Sequence, residues 1–145
     1  MNVFGLTRKR TFYFLNIIIP LFLGLSVYIL FRPDAIISEC TYSFLNIQPT
    51  AITVSSELLR IIICYYMSDF LWAYSLTFIV VLILGYSKKN LISNYLLCLV
   101  FVIVVELLQQ TGLFQGIFDI SDIIVEALAV FSAFVFIYYY EECAK

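Results

Sequence analysis

Glu106 to Glu126 reads ELLQQTGLFQGIFDISDIIVE. It closes an apolar run, Tyr95 to Val105, with a carboxylate and two amides, turns through Gly112 and Gly116, and enters a second apolar run through Asp119 and Asp122. An ionisable side chain at bilayer depth costs from about 2.5 to well over 10 kcal/mol, so such residues line a bundle interior or a wet cavity. The stretch therefore predicts two membrane-spanning helices joined by a short turn, with a polar site at that end.

Composition supports this reading. Of 145 residues, 63% are hydrophobic and 18% aromatic, against roughly 45–50% apolar in soluble domains, and mean hydropathy is +1.03. A net charge of −2 with only 8 Lys and Arg excludes a nucleic-acid partner, because phosphate binding needs clustered cations. Histidine is missing, so any chemistry would rest on carboxylates, Arg, Tyr, Ser or Cys. Cys40, Cys64, Cys98 and Cys143 show no CxxC spacing, which argues against zinc. Cys98 fits a buried free thiol. Cys40 and Cys64 fall on one side of the membrane, where a disulfide and two free thiols both fit.

Four spans are expected, at about 11–31, 70–86, 91–110 and 120–140. Thr11 to Phe31 carries no charge and as a helix rises about 30 Å, the thickness of the hydrocarbon core. Its basic start also suits a signal peptide, but the apolar run is too long and Phe31-Arg32-Pro33-Asp34 is no cleavage site. A kink is expected at Pro20. Arg32 to Ser56 is mixed and is expected to be loop, while Glu57 to Met67 is too short to span and predicts an interfacial or re-entrant helix. Asp69 is expected to open the second span, where its charge meets the helix dipole. Trp72 and Tyr74 fit interface anchors.

An N-in, C-in arrangement puts Arg8, Lys9, Arg10, Lys88, Lys89 and Lys145 inside against Arg32 and Arg60 outside, which follows the positive-inside rule. Glu141 and Glu142 weaken the bias at the last end. With that orientation, Asp69, Glu106, Gln109, Gln110, Asp119, Asp122 and Glu126 lie near one outer level. Glu106, Gln109 and Gln110 share one helix face and Asp119, Asp122 and Glu126 another, and short-turn neighbours turn polar faces toward each other in lipid. Carboxylates gathered this way require a proton, an arginine or a metal ion among them. Arg60 and Arg32 are the available cations, with Arg60 expected to frame the pocket. If a metal is held, Glu106 and Asp122 are its candidate ligands, and an all-oxygen set suits a divalent ion such as Mg²⁺, Ca²⁺ or Mn²⁺. Simpler roles compete: Asp119 and Asp122 as N-cap and N3 of the last span, Gln109 and Gln110 as interhelical hydrogen-bond formers, and Glu126 as a headgroup-exposed residue.

The acidic residue before Phe-Leu-Trp-Ala-Tyr (Asp69 to Tyr74), Glu-x-x-Gln (Glu106 to Gln109) and Gly-x-Phe-Asp-x-x-Asp-Ile-Ile (Gly116 to Ile124), in this order and at span ends, resemble the VanZ-like family of small bacterial membrane proteins. The resemblance covers Asp69 to Val130, about half of the chain. It implies a single helical domain, residues 1–145, in the bacterial cytoplasmic membrane, and a link to resistance toward the glycopeptide teicoplanin. The family's polar positions fall on Asp69, Glu106, Gln109, Asp119 and Asp122. The chain departs from the pattern where many members carry a His after the first Asp, here Trp72, Ala73 and Tyr74. It departs again at Gly116, where an Arg is common, and at Glu126 and Ala129 or Val130, near positions of Asn and Gly. Mechanisms needing that His or Arg do not transfer.

The expected function is an outward-facing acidic cavity that binds a polar or lipid-linked ligand of the cell envelope, with membrane lipids as surroundings. An envelope-lipid-modifying enzyme using carboxylates and a divalent ion is the alternative from a different class, and a non-catalytic scaffold is the third. A transporter is disfavoured because the two halves show no internal repeat.

Overall fold

The computed structural model describes residues 3–33, 35–47, 52, 55–111 and 119–143. Among them all regular structure is helical: α1 (Val3–Phe31), α2 (Ile36–Leu45), α3 (Glu57–Ile61), a π-helical turn (Ile62–Tyr66), α4 (Met67–Leu84), α5 (Lys88–Gln110) and α6 (Ile120–Cys143). Four runs, Lys9–Phe31, Glu57–Leu84, Lys88–Gln110 and Ile120–Cys143, are long and apolar enough to cross a membrane. Of the turn expected at Gly112 to Asp119 only Asp119 is described, and Lys145 lies outside the described residues.

The short helix expected at 57–67 does not stand apart. No Pro or Gly interrupts Glu57 to Leu84, so α3 runs through the π turn into α4 as one rod. At 1.5 Å per residue this rod is about 42 Å long, more than a hydrocarbon core of about 30 Å. Its first turns can therefore project beyond hydrocarbon, and Asp69 is an interior residue of the rod. Charge alone does not stop a helix. A short separate helix exists instead at Ile36–Leu45, in the stretch expected to be loop. Asn46 ends it at φ 53, a left-handed position that Asn tolerates. Tyr42 anchors it, donating its hydroxyl hydrogen bond to the carbonyl of Ile29.

The bundle is apolar outside and has an apolar core with buried polar groups set into it. Phe22, Ile83, Ile92 and Leu128 are exposed along the helix faces, whereas Ser75, Thr77, Glu106 and Glu126 are buried. In water the exposed surface would be an aggregation liability, and in lipid it is the wetted face. α4 occupies the centre, packing on α1, α5 and α6. Fully buried Ala73, Ala129 and Ala133 let the backbones of α4 and α6 approach, as small residues do between membrane helices. α1 stays helical through Pro20. The proline leaves the Asn16 carbonyl without its helical donor, and at the next carbonyl, that of Ile17, the hydroxyl of Ser75 on α4 donates from outside the helix at 3.3 Å.

At the end carrying Lys88 and Lys89, the expected charged tail is a clasp. Glu141, only 5% exposed, pairs with Lys9 at 2.5 Å and accepts from the Tyr13 hydroxyl at 3.1 Å. Phe12 stacks on Tyr140 with ring centroids 3.4 Å apart. Glu142 accepts from Tyr86 at 3.2 Å and pairs with Lys88 at 2.9 Å. Burial and the neighbouring Glu142 push the Tyr86 phenol up to about 12, so it remains a donor at any physiological pH. Replacing Glu141 by Ala strands the Tyr13 hydroxyl and removes the Lys9 partner. We expect a loss of about 1–3 kcal/mol, discounted for the half-exposed lysine, in unfolding measured in detergent, while Lys88→Ala leaves the unfolding midpoint close to wild type.

Candidate functional site

The opposite end of the bundle, where α1 reaches Arg32, gathers the acidic residues. Asp69 and Trp72 come from α4 at i and i+3, Glu106 from α5, and Asp122 and Glu126 from α6 at i and i+4. These spacings put each pair on one helix face. Since α4 packs on both α5 and α6, the three faces meet. From Asp69 to Leu84, and from Glu126 to Glu141, the helices rise about 22 Å at 1.5 Å per residue. Both acids therefore lie at matching depth above the clasp.

Glu126 is 1% exposed and Glu106 is 3% exposed. Glu126 lies within electrostatic range of Glu106, Asp69 and Asp122 and within hydrogen-bonding range of the Trp72 indole. One oxygen of each buried glutamate, Oε2, has no hydrogen-bond partner among the described residues. The carboxylate of Glu106 also faces the backbone N–H of Asp119, which ties the end of α5 to the start of α6. An unsatisfied buried oxygen of a charged group costs more than the 1–3 kcal/mol typical of neutral groups. Two of them on facing helices leave buried acceptors that a donor or cation would relieve.

The cation at this site is Arg32, within electrostatic range of Asp69 and Asp122. Arg60, expected to frame the pocket, is exposed and forms no ion pair among the described residues. It sits on α3, the part of the rod that can project beyond hydrocarbon. Arg32 is held between aromatic faces, its guanidinium carbon 5.2 Å from the centroid of the Tyr28 ring and 5.3 Å from that of Tyr65. The Tyr28–Arg32 spacing of i, i+4 was a readable signal for such stacking. Tyr65 was not readable, because the π turn that turns its ring follows from no sequence rule.

The other expected residues separate. Asp119 is exposed and caps α6, its Oδ1 accepting from the N–H of Ser121 at 2.8 Å. Asp122 is half-buried in the first turn of α6, at the expected N3 position, and within electrostatic range of Asp69 and Glu126. Gln109 is half-buried and Gln110 exposed, so only the former follows Glu106 inward. Glu126 is interior and not headgroup-exposed, because α6 begins at Ile120 and already has nearly two turns below it. Cys40, Cys64, Cys98 and Cys143 are all free thiols, with Cys64 and Cys98 buried.

No three His, Cys, Asp or Glu among the described residues are gathered closely enough to hold a metal ion. The chain matches no family model, no curated protein and no solved structure. What identifies the site is therefore its own physics. Glu126→Leu removes an unsatisfied buried oxygen from an apolar wall. We expect it to raise the unfolding free energy in detergent by about 1–3 kcal/mol. A destabilised variant would mean that the carboxylate serves the fold.

Proposed function

We propose that the chain is a VanZ-like protein of the bacterial cytoplasmic membrane, inserted with both termini inside. In this reading its acidic cluster opens to the outer face and binds a polar or lipid-linked ligand of the cell envelope. The observation that carries the reading is the pair of buried oxygens of Glu106 and Glu126 that have no hydrogen-bond partner among the described residues, held on separate helices beside Asp69, Asp122 and Arg32. A scaffold would have no reason to keep them, since an apolar side chain at either position is more stable in lipid. Selection for binding keeps such groups at a stability cost. The orientation rests on the excess of Lys and Arg at the clasp end. With no three-residue metal set among the described residues, the reading places a donor group of the ligand, rather than an ion, against the acids.

The family resemblance supplies a cellular readout. Expressed in a teicoplanin-susceptible bacterium, the chain should lower susceptibility, and Glu106→Gln should abolish the effect at an unchanged amount of protein in the membrane. Wild-type behaviour of the Glu106→Gln variant would remove the acid cluster from the function.

A further inference from the structure

α2 sorts its side chains onto three sides. Ser38 and Tyr42, spaced i, i+4, are 0% and 9% exposed and face the bundle. Glu39 and Ser43, also i, i+4, are exposed. Ile37, Cys40 and Phe44, at i, i+3 and i+7, make up the third side. All three are exposed, Phe44 to 88%, and Leu45 extends the same side. Thr41 lies there too, but its hydroxyl donates to the carbonyl of Ile37 at 2.6 Å, so it presents no unmet donor. At 10 residues the helix is about 15 Å long, half of what a span requires.

Both ends of this segment return to the last turns of α1. The Tyr42 hydroxyl donates to the carbonyl of Ile29. Beyond α2, the N–H of Ile52 donates to the carbonyl of Leu30 at 2.9 Å. The span Lys9–Phe31 has 23 residues and rises about 34 Å, slightly more than a hydrocarbon core of about 30 Å. With Lys9 at one surface, Ile29 and Leu30 lie at the other, so α2 is tethered where hydrocarbon gives way to headgroups. Ile37 reaches back from there: it shares a groove with Leu21 and Leu25 of α1, which lie nearer the membrane centre than the tethers. The apolar side of α2 therefore turns toward hydrocarbon, and it adjoins a lipid-facing part of α1, where Leu21 and Leu30 are each 42% exposed. Glu39 and Ser43 lie on the opposite side of the helix.

We propose that α2 is an interfacial helix, bound to the lipid surface of the leaflet at the acid-cluster end. Ile37, Cys40, Phe44 and Leu45 sit among the acyl chains, and Glu39 and Ser43 sit in the headgroup layer. Such a helix is held by its apolar face. Glu39, its single charge, offers no attraction to anionic headgroups, so the apolar side and the two tethers hold it. The interfacial role that the sequence suggested for Glu57 to Met67 thus falls to α2. Arg32, two residues beyond Leu30, lies at the same boundary. This inference rests on the four membrane spans and is independent of what the acids bind.

Cys40 supplies a label position. Cys64 and Cys98 are buried, so full-length Cys143→Ser protein takes a nitroxide at Cys40. Adding Cys40→Ser with Glu39→Cys, Ser43→Cys or Phe44→Cys moves the label along α2. In vesicles of phosphatidylcholine and phosphatidylglycerol, collisions with oxygen, which concentrates in hydrocarbon, are compared with collisions with a water-soluble nickel chelate. The oxygen-to-nickel ratio should be severalfold higher at positions 40 and 44 than at 39 and 43, with helical circular dichroism unchanged in every variant. Equal ratios at the two pairs of positions overturn the proposal, since α2 then stands wholly in water or wholly in hydrocarbon. Protection of 40 and 44 from both probes also overturns it, and makes a second copy of the chain the occupant of that side.

Discussion

A carboxylate surrounded by hydrocarbon must be compensated, and this constraint organises the distal half of the molecule. Asp69, Glu106, Asp122 and Glu126 arrive on three different helices, and none could face lipid at that depth without a penalty of several kcal/mol. Turning them inward fixes the rotation of α4, α5 and α6 about their axes. Small residues follow from the same requirement: Ala73 and Ala129 sit just beneath the acids and let the helices close over them. The polar faces set which sides meet, and the alanines set how nearly.

The two ends of the bundle solve the charge problem differently. At the clasp end Glu141 and Glu142 are matched by Lys9, Lys88, Tyr13 and Tyr86, so every buried oxygen there has a partner or a nearby cation. At the distal end, among the described residues, four clustered acids face one arginine that lies over two tyrosine rings. The clasp is satisfied by its own side chains, and the contrast between the two ends is what the proposed binding reading rests on.

Much of this was legible in the sequence. Long uninterrupted apolar runs fixed three of the four spans within a few residues and the far end of the second, and helical spacing placed Glu106 with Gln109 and Asp122 with Glu126 on shared faces. Three things were not. Asp69 looked like the start of a span because a charge was taken for a boundary, whereas only Pro, Gly or a cap ends a helix. Arg60, expected to frame the pocket, falls exposed in the first turns of the continuous rod from Glu57 to Leu84, a place that local composition does not reveal. The α2 helix lay in a stretch whose Pro, Ser and Thr content masks its ten residues, and only Asn46 in the left-handed region marks its end. Each miss concerns continuity of the chain, which local composition reports poorly.

The central claim is that acids far apart in the sequence converge on one site at the end opposite the lysines. In a background with Cys40, Cys64, Cys98 and Cys143 replaced by Ser, the double variant Asp69→Cys with Asp122→Cys can be treated in native membranes with a short bis-maleimide, beside a control pair at Lys9 and Glu141. The account predicts an intramolecular cross-link in both variants, seen as protection of both thiols from a later mass label. A cross-link at the control pair with both thiols of the Asp69 and Asp122 variant remaining free to label would contradict it.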